Sequence, residues 1–526
     1  MTNRDLRLFS SVIENIEERV PEFLAEANIP LERNIAHPLD KGIVDRLKKF
    51  EFREEDDDYR IFVYVNEIKE IWKLVIEKSI KCLRFFDTRE PYLENKSKNP
   101  MAYGVNELSD YFEKYIQFED MLYGGGKYYR DHVVHMFRVW LLGIDCLLDN
   151  EGEYLKRINI QEGIFVNCLE KISIWSVIAL THDLGYPLEK SQEIIEKTKE
   201  MTKSFIANPM VAINLSFDGI QNNMNDFVVR FISSKMHKLD SNDTAKPAET
   251  KYKKPFVARL QSKYFYKFQK SLGDYNHGIL SAIIIYKLLK YFLESDFSIN
   301  EDYKFDEEEA RQFYMRREIL RGIASHTCHD VYHLDMLNFA FLLIMADDAQ
   351  EWGRKRISEL YVNQKSNYEF DSITPTFDVK DSTYKSIYGE ETIKVHRFAT
   401  KEQFTFPKDE LDNLKGILQK LMKQSVGYQE IFRDGQDTAK RNFIFEKCCN
   451  ITYEATRAVE FKVCFIISNE EKPSFEVTVS STSKNAVNKT YNEEFLKSIY
   501  KDYEVTLVEK SDNENEAKYS ISSKEE

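Results

Sequence analysis

The stretch Trp175-Ser176-Val177-Ile178-Ala179-Leu180-Thr181-His182-Asp183-Leu184-Gly185-Tyr186-Pro187 limits what this chain can fold into more than any other. It reads as an apolar helix that delivers an adjacent His182-Asp183 pair and then breaks at Gly185 and Pro187. A run this apolar belongs in a core. There an imidazole beside a carboxylate is costly unless the two are paired, hydrogen-bonded or bound to metal. A plain His–Asp hydrogen bond tying down a helix end would satisfy that demand equally well. The pair therefore has to be read with the rest of the chain, which places further His and Asp residues at the ends of other apolar helices.

At 526 residues the chain exceeds one hydrophobic core, so two or three domains are expected. The 36 Phe and 30 Tyr support large buried contacts, whereas 18 Gly and 12 Pro are too few for a loop-rich all-β protein. A net charge of -14 opposes non-specific nucleic-acid binding over the whole surface and leaves room only for a local basic face. Cysteines 82, 146, 168, 328, 448, 449 and 464 form no CxxC pair, a pattern expected of reduced cytoplasmic thiols rather than a disulfide framework. The N-terminus lacks a signal-like apolar region, and the run Phe339 to Ala346 falls far short of a membrane span. A cytoplasmic protein with no membrane association is the expectation.

Residues 1–110 read as a helical layer. Leu6, Phe9, Val12, Ile13, Ile16 and Val20 fall at helical spacing, a second helix covers about 59–86, and Pro30, Pro38 and the acidic run Glu54 to Asp58 mark loops. From about 111 to 360 the chemistry-bearing residues accumulate. Gly124-Gly125-Gly126-Lys127 reads as a flexible loop, and the GxxxxGK[ST] spacing of a P-loop is absent. It leads into a helix carrying His132 and His135 beside Lys127, Arg130 and Arg138, a grouping suited to an anion. A further helix is expected over 188–203. From Lys251 to Lys270 seven positive residues and no Asp or Glu are interleaved with aromatics. That stretch reads either as a phosphate-and-base contact surface or as an amphipathic helix with a solvated lysine face. His277 opens another apolar helix, His326 ends one that begins near Glu308, and a nearly all-apolar helix from Leu334 closes on Ala346-Asp347-Asp348. Eight of the ten histidines lie between 132 and 333, a bias that favours metal coordination over scattered surface positions.

The series H…HD…H…H…D, each member at the end of an apolar helix, resembles the HD superfamily of metal-dependent phosphohydrolases. The matching positions are His135, His182, Asp183, His277, His326 and Asp347, with His132 and Asp348 as competing choices at the first and last. His182-Asp183-Leu184-Gly185-Tyr186-Pro187 is also similar to the HDLGHP motif of deoxynucleotide triphosphohydrolases. Tyr186 stands where that group has a second histidine, and Leu188-Glu189-Lys190 replaces its PFxH-like segment.

The resemblance implies one or two divalent transition metal ions (Mn, Fe, Co, Ni or Zn, with Mg also admitted), held by His135, His182, Asp183, His277, His326 and Asp347. Imidazoles and carboxylates suit such ions, and a ligand set without cysteine argues against a structural zinc. His182, Asp183 and His277 are the expected catalytic residues, and Lys127, Arg130, His132, Arg138, Lys190 and Arg354 the expected phosphate-binding ones. The implied activity is hydrolysis of nucleotide phosphate esters, deoxynucleoside triphosphates favoured. A phosphodiesterase or nuclease using the same site, and a catalytically silent nucleotide-binding scaffold, are the alternatives. The partner expected is a small nucleotide, with nucleic acid a less favoured alternative and a homo-oligomer left open.

Beyond 361 the sequence turns polar. A helix over 408–424 and segments Glu460 to Ser468, Ser474 to Ser481, Tyr503 to Glu509 and Ala517 to Ser522, with a helix near 492–500, read as a small α+β domain. Its position alone suits a regulatory or oligomerising module. The expected fold is thus mainly α: an HD-type helical core with an N-terminal helical layer and a small C-terminal α+β domain.

Overall fold

A computed structural model describes residues 3–29, 35–50, 61–88, 104–125, 131–160, 164–202, 220–239, 255–295, 297–300, 302–328, 330–331, 336–350, 369–386, 389–406, 411–431, 443–453, 459–468, 474–483 and 485–523. The chain divides into two compact units, one of residues 1–331 and 337–350, the other of 332–336 and 351–526. The N-terminal helices and the histidine-bearing helices therefore share one unit.

In the first unit the helices longer than four residues are α1 (Asn3–Glu26), α2 (Lys41–Lys48), α3 (Ile61–Thr88), α4 (Val105–Gly125), α5 (Val133–Arg157), α6 (Cys168–Thr181), α7 (Tyr186–Thr202), α8 (Ile220–Ser233), α9 (Ser262–Gly273), α10 (His277–Leu288), α11 (Glu307–Ser325) and α12 (Phe339–Ala349). A small antiparallel sheet joins β1 (Ser234–Lys238), β2 (Phe256–Leu260) and β3 (Lys304–Phe305). Every residue of α6 is buried, as its all-round apolar sequence requires. Its start is held by a capping box in which Asn167 and Glu170 each bond the other's backbone N–H. Trp175 of α6 lies across Gly143 of α5, where a Cβ would meet the indole at 1.9 Å, and its Nε1 donates to the Trp140 carbonyl at 3.1 Å. Trp72 of α3 donates to the Leu180 carbonyl at 2.7 Å. The central helix is thereby pinned at the end that carries the His-Asp pair.

Two expectations change in this unit. The glycine run does not begin as a loop, because α4 continues to Gly125. The basic-aromatic stretch is not one helix: Gln261 separates strand β2 from helix α9, since Phe256–Leu260 pairs with both β1 and β3.

Buried His37, ahead of α2, sets an acid-side limit on stability. Burial lowers its pKa from 6.5 to about 4, Lys78 adding to the effect and Asp40 opposing it. The folded state holds it neutral while the unfolded chain protonates it. Its contribution is therefore complete above the unfolded value and is lost as pH falls toward the folded one. Between pH 7 and pH 5 the wild type is expected to lose about 2 kcal/mol more unfolding free energy than His37→Gln. Urea unfolding of both proteins at the two pH values measures it, and equal losses would remove His37 from the account.

The second unit is a seven-stranded sheet in the order β4-β5-β6-β7-β8-β10-β9, formed by β4 (Glu369–Ser386), β5 (Gly389–Phe406), β6 (Phe443–Tyr453), β7 (Val459–Ser468), β8 (Ser474–Ser481), β9 (Tyr503–Lys510) and β10 (Glu516–Ser523). Neighbours are antiparallel except β5 and β6, which run parallel. A parallel pair needs a long crossover, and helix α13 (Leu411–Ile431) provides it, stacking Tyr428 on Phe445 of β6 at 4.5 Å. Helix α14 (Glu493–Ile499) precedes β9.

The sheet of this α+β domain holds three strands that the sequence does not mark. Strands β4 and β5 form a long hairpin through a polar segment in which the sequence marks no strand, and β6 is likewise unmarked. Cys448 and Cys464, expected as free thiols, are disulfide-bonded. They are directly opposed on β6 and β7 with Cα atoms 4.3 Å apart, close enough for the bridge. No helix among the described residues is long and apolar enough to cross a membrane.

Candidate metal centre

Four helix ends of the first unit bring their histidines to one place. His135 lies in the first turn of α5, His182 ends α6, His277 opens α10 and His326 ends α11. Asp183 follows His182, and Asp347 sits in the last turn of α12. The Gly185 turn makes the convergence possible. A Cβ there would meet the His277 carbonyl at 2.3 Å, and its N–H donates to Ser281 Oγ at 2.7 Å. The HD turn and the start of α10 can approach this closely only with glycine at that position.

Asp183 is the hub. Its Oδ2 lies 3.4 Å from His182 Nε2 and 3.8 Å from His135 Nε2, while its Oδ1 lies 3.3 Å from His277 Nε2 and 3.7 Å from His326 Nε2. Asp347 Oδ1 is 2.8 Å from His135 Nε2 and 3.9 Å from His182 Nε2. Ligand atoms held about 2.1 Å from one ion lie about 3 to 3.5 Å from each other. The observed separations surround that range. Three overlapping groups satisfy the spacing for an ion: His135, His182 and Asp183; His182, His326 and Asp347; and Asp183, His277 and His326.

The far nitrogens explain why all four Nε2 atoms point inward. Nδ1 of His182 donates to the Ala179 carbonyl at 2.8 Å, and Nδ1 of His326 to the Ile323 carbonyl at 2.6 Å. Nδ1 of His277 donates to Glu189 Oε2 at 2.7 Å, and Nδ1 of His135 is 2.5 Å from Gln350 Oε1. Such outer bonds fix tautomer and ring orientation around a metal.

They also leave a debt of charge. Burial lowers the His182 pKa to about 4, so its ring is neutral and Nε2 presents a lone pair. Nε2 of His182 and of His326 are both buried without a hydrogen-bond partner. They face Asp183, whose carboxyl is held well below its usual range: burial opposes ionisation, but His182, His277 and His326 outweigh it. Lone pairs facing an ionised carboxylate repel unless a cation stands between them. A divalent ion fits this donor set.

His277 behaves differently. Burial disfavours its charge, yet hydrogen bonds to Asp183 and Glu189 push its pKa up to about 10. Its ring bridges two carboxylates, so a cation at Asp183 would compete with a proton at His277 Nε2.

The residues expected to bind phosphate separate into three groups. Lys127, Arg130 and Arg354 lie outside the described residues. His132 stands beside the cluster and outside its ligand groups, its ring 4.0 Å from Tyr186 and its backbone N–H donating to Glu119 at 2.7 Å. Lys190 is paired with Glu193 on its own helix at 2.7 Å and lies over the Tyr186 ring. Arg138 requires a correction. It shares the His135 helix but points to α1, where Nε and Nη2 grip both oxygens of Asp5 at 2.9 and 2.8 Å. Both residues are fully buried, so Arg138 is a packing cation that substrate cannot reach.

Glu189 and Gln350, which orient His277 and His135, carry no functional mark in the sequence. The only trace is local: Gln350 follows Asp347 by three residues, and Glu189 follows the Tyr186-Pro187 break. Comparison with known proteins adds nothing to this geometry: no family model matches the chain, and no curated protein or solved structure is significantly similar to it.

Proposed function

We propose that this chain is an HD-type metal-dependent phosphohydrolase acting on nucleotides, with deoxynucleoside triphosphates favoured within that class. One observation carries the reading: buried, unpartnered Nε2 atoms of His182 and His326 face the Asp183 carboxylate, with each Nδ1 tied back to a backbone carbonyl. A packing cluster would put a proton between such atoms. A ligand set has room only for a cation.

His135, His182, Asp183 and Asp347 would hold one ion, and Asp183, His277 and His326 a second, with Asp183 shared. A divalent ion bound there supplies Lewis-acid polarisation of a phosphoryl oxygen and acidifies water. The chain's own residues do the rest. The carbonyls of Ala179 and Ile323 and the side chain of Gln350 hold three rings in place, so little reorganisation accompanies the reaction. Glu189 holds Nδ1 of His277 as the donor, which aims Nε2 at Asp183, where it would give up its proton to take a cation. Burial of α6 and of the His182 ring excludes bulk water from the inner side of the cluster. The preference for deoxynucleoside triphosphates rests on the likeness of His182 to Pro187 to the HDLGHP motif alone.

The test is product identification on a panel of nucleotides and phosphodiesters with Mn²⁺, Mg²⁺, Co²⁺ or Ni²⁺. Metal-dependent release of phosphate, pyrophosphate or triphosphate is expected. Stoichiometric bound metal with no turnover of any panel member would refute hydrolysis and leave a nucleotide-binding scaffold.

A further inference from the structure

The small sheet of the first unit turns one face inward and leaves the other to solvent. Met236, Ala258 and Phe305 are buried beneath it, and the Met236 carbonyl accepts from the Tyr314 hydroxyl of α11 at 3.2 Å. Side chains alternate across a strand, so the residues between these share the outer face. They are Lys235 and His237 of β1, Val257 and Arg259 of β2, and Lys304 of β3. The register sets Lys235 directly opposite Arg259, His237 opposite Val257, and Val257 opposite Lys304.

Lys235, His237, Arg259 and Lys304 are all exposed, and no acidic residue shares their face. None of the four makes an ion pair among the described residues, Asp302 included, although it stands two residues before Lys304. The acids that follow Lys304 belong to α11: Asp306 and Glu309 close its capping box, and Glu307 and Glu308 lie in its first turn, where they complement the helix dipole. Like charges directly opposed across two strands cost stability, as Lys235 and Arg259 are. His237 stands in the same field. Burial, then Lys235 and Arg259, lower its pKa below the ordinary value. In a chain of net charge -14 this face departs from the surface as a whole.

We propose that the outer face of β1, β2 and β3, carried by Lys235, His237, Arg259 and Lys304, binds the phosphate backbone of single-stranded nucleic acid, apart from the metal centre. An open face does not enclose a small anion, whose few contacts water and salt would screen. A polymer of phosphates gains at every cation it crosses, by releasing its counterions. Cross-strand neighbours lie about 5 Å apart and alternate residues of one strand about 7 Å, so one extended chain can meet several of the four. Strand β2 leads through Gln261 into α9, whose Tyr266 is 71% exposed. A ring left in solvent offers its face to an unpaired base, which a duplex keeps stacked. A membrane surface would call for large apolar side chains, and of the five residues on this face only the half-buried Val257 is apolar.

The probe is a fluorescently labelled oligothymidylate, titrated with the full chain in the presence of a chelator at several salt concentrations, and again with Asp183→Ala. Both proteins are expected to bind it, with log K falling against log salt at a slope of about -2 to -3, the value for three or four phosphate contacts on a single strand. Lys235→Glu is expected to weaken binding by at least about tenfold and to reduce the slope by about 1. The same variant should melt at or above the wild-type temperature, because an opposite charge then faces Arg259. Should it fail to fold, Lys304→Gln is expected to weaken binding several-fold and to lower the slope. Absence of binding at low salt overturns the site, and so does binding that neither variant alters. Loss of binding in Asp183→Ala would make the metal centre the phosphate reader and overturn it as well. A duplex bound as tightly as the single strand, or phosphatidylserine vesicles that displace the oligonucleotide, would overturn the assignment of the occupant.

Discussion

Asp183→Ala is expected to empty the candidate metal centre and to lower the proposed phosphohydrolase activity by at least about 10³-fold, while the helical fold survives. Among the described residues Asp183 is the one group that faces all four imidazoles, two through each carboxylate oxygen. Removing it takes the shared ligand from both candidate ion positions at once. It also ends the electrostatic conflict with the Nε2 lone pairs of His182 and His326, so the apo protein has no reason to unfold. Metal analysis of purified wild type and variant, with circular dichroism on the same samples, decides it. A variant that keeps its full metal content would separate Asp183 from coordination and undo the proposed activity with it.

Arg138→Met is expected to cost about 3–5 kcal/mol of stability, the range for breaking one partner of a buried ion pair. Asp5 would keep a buried carboxylate from which a two-point guanidinium contact had been taken. The double variant Asp5→Leu with Arg138→Met should recover most of the loss, because an apolar pair of similar volume replaces both charges. Chemical denaturation of the three variants measures the coupling. An unchanged stability accompanied by a raised KM would restore Arg138 to the substrate side. The contrast matters because proximity along a helix had made Arg138 look like a phosphate ligand. Its side chain instead follows the packing of α1 against α5.

The apolar runs of α6, α10 and α12 could be read directly, because a helix buried on all sides has few polar residues to confuse its pattern. The β4–β5 hairpin could not. Its segments are polar on both faces over much of their length, so neither a twofold alternation nor a turn signal stands out. The helix expected over 408–424 is found at Leu411–Ile431, but its role as the crossover that makes β5 and β6 parallel is a matter of strand order, which periodicity does not encode.

By itself the amino-acid order singled out His135, His182, Asp183, His277, His326 and Asp347, each at the end of an apolar helix, where the chain can leave a core and still place a polar atom beside it. The tertiary structure alone decided which atom of each faces inward. Ring orientation depends on a hydrogen bond to the far nitrogen. Two of those bonds go to backbone carbonyls, and two go to Glu189 and Gln350, residues that mean nothing until the helices converge. It also decided that Arg138 serves α1. The reason is the same in each case: a side chain's partner is set by what packs across from it, and that neighbour is distant in sequence.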